Sequence, residues 1–184
     1  MKSLFRLVAV LLLSISSSVW AANAAPLGFE LGMATLSQVQ QGLSSKTRLA
    51  ETGTNKYTGG KMLSGTGAGL DVDGLKEITF IFDQNNALAG VTMSLSKGNG
   101  MNNEGFKKLS KTLASKYKQV EKREPFVGDC YARYVQGDSV VILNVPHMGF
   151  DMGLSYLTKG LLADFNKQSV QEKSAQQKTQ ASKF

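Results

Sequence analysis

The sequence predicts an α+β domain in which an antiparallel sheet is covered on one face by two packed helices, and three observations carry that prediction. Apolar residues alternate at Ile78, Phe80 and Phe82 and again at Ala89, Val91, Met93 and Leu95, the period of half-buried strands. Phe106, Leu109, Leu113, Tyr117 and Val120 step by three or four, the period of a helix lying on a core. Short β-rich runs punctuated by Gly, Asp and Pro then occupy Tyr131 to Val135, Val140 to Val145 and Met148 to Leu157.

A leader precedes these elements. Lys2 and Arg6 open onto the apolar run Leu7 to Leu13, and small residues collect just beyond it, the pattern of a secretory signal peptide. The run is short of the roughly 18 to 20 residues that span a bilayer, so cleavage is expected, after Ala21 or after Ala24. The expected organisation is a signal peptide at 1–24, one domain at 25–167 and a disordered polar tail at 168–184. A domain of that size can bury a core without covalent staples. Cys130 is the only cysteine, so no intrachain disulfide is possible, and it lies too far from the leader to be a lipidated first residue. Removing Lys2 and Arg6 lowers the formal charge from +7 to about +5, a balance suited to anionic partners.

Each element has a local reason. After an extended stretch at Pro26 to Leu31, Thr35 can cap a helix over 35–43 whose apolar positions are Leu36, Val39 and Leu43. Between Thr47 and Leu70, glycines at 53, 59, 60, 65, 67 and 69 predict a loose hairpin with a mobile tip. Gln84-Asn85-Asn86 supplies turn chemistry between the two alternating strands that follow. Asn102 or Asn103 is placed to cap the second helix, expected over 103–121, with Glu104 in the first turn, where the helix dipole favours an acid. Its opposite face carries Lys107, Lys108, Lys111, Lys118 and Lys122. Gln136-Gly137-Asp138 predicts a turn, and Leu161 to Phe165 a last helical turn before the tail. The succession of two helix-then-strands units suggests a duplication, although the halves share no alignable residue pattern.

Few residues are arranged for chemistry. Gly65-Thr66-Gly67-Ala68-Gly69 lacks the third glycine of a dinucleotide fingerprint, because Leu70 stands there, and Gly60-Lys61-Met62 lacks the hydroxyl of a phosphate loop. Asp71-Val72-Asp73-Gly74 lacks the remaining ligands of a calcium loop. Cys130 and His147 form the one nucleophile pair that can be drawn, near the same open end of a hairpin, but nothing in the sequence activates the thiol or orients the imidazole. His147, Met148 and Met152 are soft copper ligands spread too thinly to define a site, and one His with one Cys makes no zinc pattern. No metal and no cofactor is therefore implied. The five lysines are the most organised polar feature, and their functional reading is contact with an anionic surface. Nucleic acid is disfavoured by export and by the lack of interleaved aromatics. A terminal Phe184 without an alternating apolar strand before it does not make a membrane barrel.

Leu27-Gly28-Phe29-Glu30-Leu31-Gly32-Met33, the helix from Thr35 to Leu43 and the strand Phe80-Ile81-Phe82-Asp83 with Leu88 and Val91 resemble the opening of small periplasmic α+β proteins. The outer-membrane assembly factors of the BamE (SmpA/OmlA) type are the nearest such family, and β-lactamase-inhibitor proteins share that general fold. The resemblance covers under half of the chain beyond the leader, and the lipidated cysteine of the lipoprotein members is absent. It implies a helix packed on an antiparallel sheet used for protein contact, and transfers no functional residue.

The function expected from the sequence is that of an exported, periplasmic, non-catalytic binding or inhibitory module. Its partner would be an envelope or secreted protein, or an anionic surface. A small hydrolase using Cys130 and His147, and a structural or stress-related envelope protein, are the alternatives.

Overall fold

The computed structural model describes residues 22–98 and 103–181. Most of the leader, 1–21, lies outside the described residues, as do Asn102 and Phe184. The chain forms a first helix, α1 (Leu36–Leu43), and four strands, β1 (Ala50–Thr54), β2 (Gly59–Thr66), β3 (Leu75–Asp83) and β4 (Leu88–Ser96). A second helix, α2 (Glu104–Ala114), is followed by β5 (Lys118–Arg123), β6 (Cys130–Gln136), β7 (Ser139–Val145) and β8 (Asp151–Thr158), and a third helix, α3 (Lys159–Ala181), follows β8. All neighbouring strands are antiparallel, in the order β1-β2-β3-β4-β8-β7-β6-β5. The class is therefore α+β, with three helices instead of the two expected.

The order mirrors itself about β4 and β8. Ile78 pairs with Met93 as Val141 does with Tyr156, and Phe80 with Val91 as Leu143 does with Leu154. Matching the units on these pairs makes Thr92 equivalent to Ser155, and those two residues are themselves partners in the β4–β8 ladder. Helix plus four strands thus occurs twice, about an approximate twofold through that pair.

The larger of two core clusters joins α1 and α2 to the sheet. Val39 and Leu43 of α1 and Phe106 and Leu113 of α2 join Leu63, Ile78, Phe80, Phe82, Val91, Met93, Ala132, Tyr134, Leu143 and Leu154 in it. Alternation places these strand residues, since side chains two apart share a sheet face. Ala89 departs from the expected stripe: a bulge opposite Ile81 and Phe82 puts Leu88 into this core, and Ala89 packs with Ile81 and Leu161 in a second cluster.

α1 is held as the sequence implies. The Thr35 hydroxyl accepts from the Gln38 amide at 3.3 Å while the Gln38 side chain accepts from the Thr35 amide at 2.8 Å, a complete capping box. α2 begins at Glu104 after Asn103, whose side chain makes no cap bond; its backbone is left-handed at φ 54°. The expected helix over 103–121 is too long. It stops at Ala114, and Lys118–Arg123 becomes an edge strand paired with β6. Every residue of β5 is exposed, so its charges fit a helix face and a strand equally well, and pairing with β6 decides.

The tail is also corrected, because α3 continues through Ala181. Asn166 to Ala181 contains neither Gly nor Pro and is rich in Gln, Lys and Ala, good helix formers even where nothing is buried. Its first turns are fixed by buried Leu161, by Phe165 edge-on to Tyr57 at 5.3 Å and by Lys56 to Glu172 at 2.9 Å. The hairpin tip at 55–58 is fastened instead of mobile: Asn55 Oδ1 accepts from the amides of Tyr57 and Thr58, and Thr58 Oγ1 donates to the Phe82 carbonyl at 2.6 Å. Gly60 is required here, because a Cβ would lie 2.2 Å from that same carbonyl.

The domain also starts earlier than residue 25. Ala24 is completely buried, its amide donates to buried Ser139 Oγ at 3.0 Å, and the Asn23 carboxamide oxygen accepts from Asp138 N at 2.7 Å.

Candidate docking surface

The strand directions bring to one end of the sheet the connections 44–49, 67–74, 124–129 and 146–150, together with Lys97 and Gly98 where the chain leaves β4. Two of them carry apolar side chains into solvent. Phe126 is 101% exposed and Val127 68%, in the β5–β6 loop; Met148 is 90% exposed and Phe150 89%, in the β7–β8 loop. Cys130 pairs with Val145, which puts the bases of these loops side by side, and Asp129 Oδ1 fastens them by accepting from the His147 amide at 2.7 Å. Lys97 braces the second loop from the β4 side. Its amide donates to the Phe150 carbonyl at 2.8 Å, and its Nζ donates to the carbonyls of Pro146 and His147 at 3.1 and 3.3 Å. Four exposed apolar side chains thus stand on two neighbouring loops with fixed bases, and they make this end the candidate contact surface.

Charged pairs stand behind this tip. Lys107 and Lys122 share Glu124, at 3.7 and 3.0 Å, and Arg123 bonds Glu121 at 3.1 Å. Lys76 pairs with Asp151 at the start of β8. Between the β2–β3 connection and α2 lies a groove of about 680 Å³, floored by Val72, Leu95, Leu109 and Met152 and bridged by Lys108 and Asp73 at 3.0 Å.

The expected lysine face is divided between two elements, and among its members Lys107 and Lys122 meet at Glu124. Lys107, Lys108 and Lys111 lie on α2, while Lys118 and Lys122 lie on β5. Lys107, Lys108 and Lys122 face carboxylates, and Lys122 also lies 5.5 Å from the Phe106 ring. Cys130 is 1% exposed within the core. Burial, with the nearby carboxylates of Glu124 and Asp129, pushes its thiol above the usual range against the opposing pull of Lys97 and Lys122. His147 is exposed in the loop beyond Val145, so the pair does share one end of the hairpin, with the thiol buried and the imidazole in solvent. Met152 is buried while Met148 stands in solvent, which separates the soft ligands. Among the described residues no group of three or more His, Cys, Asp or Glu is placed to hold a metal ion, and no helix is long and apolar enough to cross a membrane.

Periodicity hides the patch, because it treats an apolar residue as core; Phe126-Val127 after Pro125 and Met148 after Pro146 were legible only as apolar residues next to loop formers. No family model, curated protein or solved structure matches the chain, and nothing links it to the BamE or β-lactamase-inhibitor types that its opening residues resemble.

Proposed function

We propose that this protein is an exported, non-catalytic binding module that contacts another component of the bacterial envelope through its loop end. The observation that carries this reading is the set Phe126, Val127, Met148 and Phe150, exposed together on two loops whose bases are tied by Asp129 and Lys97. In this reading α1 and α2, covering one face of the sheet, are the rigid backing of the tip. Tyr134 locks α2 to β6: its hydroxyl meets Ser110 Oγ at 2.8 Å and the Ser110 carbonyl at 3.1 Å, all buried. The raised pKa and burial of Cys130 support a role without nucleophilic chemistry.

Fractionation tests the reading. The wild-type protein should partition with an envelope complex or surface, and the double variant Phe126→Ser/Phe150→Ser, correctly folded, should run free. Identical partitioning of the two would overturn it.

A further inference from the structure

We propose that the envelope component is the lipid surface itself: the two loop tips insert their apolar side chains into the interfacial layer of a bilayer containing anionic lipid. This rests on the loop end being the contact surface. The shape favours lipid over a protein pocket. Phe126, Met148 and Phe150 are each about nine-tenths exposed or more, so they project from the body instead of lining a concavity, and a fluid layer can close around projecting side chains. The order of residues fits as well. Lys122 and Arg123 lie just before Phe126 on β5, Lys97 sits at the base of the Phe150 loop, and Lys107 stands beside Lys122 at Glu124, so cations come behind the apolar tip, at headgroup depth.

Glu121, Glu124 and Asp129 on the same shoulder offset much of this charge, and Asp151 is matched by Lys76. The remaining attraction comes from the shoulder's small excess of cations and from the positive balance of the chain, +7 by formula and about +5 once Lys2 and Arg6 leave with the leader. Insertion of the apolar tips therefore dominates, and anionic headgroups add a modest preference.

Trp20 is the only tryptophan and lies in the leader, so the exported chain can carry a single reporter. Phe126→Trp should shift its emission to the blue and be quenched by brominated acyl chains on vesicles of phosphatidylethanolamine with about a quarter phosphatidylglycerol. Asn85→Trp, in the turn that the twofold makes equivalent to the Met148 loop, should do neither. Phe126→Ser/Phe150→Ser should weaken co-sedimentation with the same vesicles by roughly a hundredfold, about tenfold for each ring lost. Lys122→Gln/Arg123→Gln should cost only a few-fold, and that difference should vanish in high salt. Wild-type protein that ignores these vesicles, yet forms a Phe126-dependent complex with a protein or a Phe126-dependent dimer, would overturn lipid as the partner and leave the docking surface standing. Binding to nothing through Phe126 and Phe150 would overturn both.

Discussion

Equivalent loops in the two units meet different fates. The twofold that pairs Thr92 with Ser155 matches the β1–β2 tip at 55–58 with the loop at 124–129, and the turn at 84–87 with the loop at 146–150. In the first unit both are tied down by the rest of the chain, although Gln84, Asn85 and Asn86 at the tip of the turn stay exposed. Tyr57 lies under Phe165 of α3, and the turn is bound by the amino-terminal segment through Gly32 N to Leu88 O, Leu88 N to Ala34 O and Leu36 N to Asn86 O, at 2.7, 2.8 and 3.1 Å. In the second unit, Lys97 is the one brace on the β7–β8 loop from outside β5 to β8 among the described residues, and the four apolar side chains remain in solvent. The sheet frame is shared and the covering is not. Within one architecture, ties from elsewhere in the chain hold one end, and the end with fewer of them is the proposed contact surface.

The comparison can be broken first in the core, where the units should behave alike. Phe80 and Leu143 occupy equivalent, fully buried positions. Phe80→Ala should cost about 3–5 kcal/mol and Leu143→Ala about 2–5 kcal/mol in urea unfolding, through lost burial and the cavities left behind. A negligible cost at either position would mean that the units do not share one core.

The amino-terminal cover gives the next effect. Cleavage after Ala24 would remove the amide that satisfies the buried Ser139 hydroxyl and the Asn23 side chain that accepts from Asp138. Deleting 22–24 should therefore destabilise by about 1–3 kcal/mol, and mass spectrometry of the exported protein should find Ala22 at its start. A mature chain beginning at Ala25 with undiminished stability would contradict the packing.

How much of this was legible in the sequence depends on where each residue's information lay. α1 was readable because Thr35 and Gln38 specify its start locally, and β3 and β4 because Ile78, Phe80 and Phe82 and then Val91, Met93 and Leu95 alternate into the core. β5 was not, since an edge strand exposed throughout leaves no period-two signature and Tyr117 and Val120 continue a helical spacing by accident. α3 was missed because burial was the only criterion applied to a tail whose helix rests on propensity and a short anchor. Of the candidate site, the position of Cys130 and His147 at one hairpin end was legible; the loop patch was not, because exposure is a tertiary property.

A third, smaller effect comes from pH. Burial raises the phenol of Tyr156, and the neighbouring Tyr117 raises it further; Tyr117 and Cys130 are also raised, chiefly by burial. These groups hold their protons to higher pH in the fold than in the unfolded chain, where they ionise near their ordinary values of about 10 for phenol and 8.5 for thiol. The unfolded state then binds fewer protons, so stability should fall as pH rises above about 9. Thermal unfolding from neutral pH upward should show the fall, and Tyr117→Phe/Tyr156→Phe should flatten it; an unchanged slope would exclude this pair as its source.

The smallest change is expected at the bare loops. Phe126→Ser and Phe150→Ser should each alter unfolding free energy by less than about 0.5 kcal/mol, since neither ring packs on the core. Tyr57→Ala, by contrast, should be measurable, because it uncovers Phe165.

A photo-crosslinking side chain placed in turn at 126, 150, 57 and 85 in living cells tests the central claim most directly. The account predicts adducts to another molecule, lipid or protein, from 126 and 150, and only unadducted chain or products within the chain from 57 and 85. Equal intermolecular capture at all four positions, or none at 126 and 150, would contradict it.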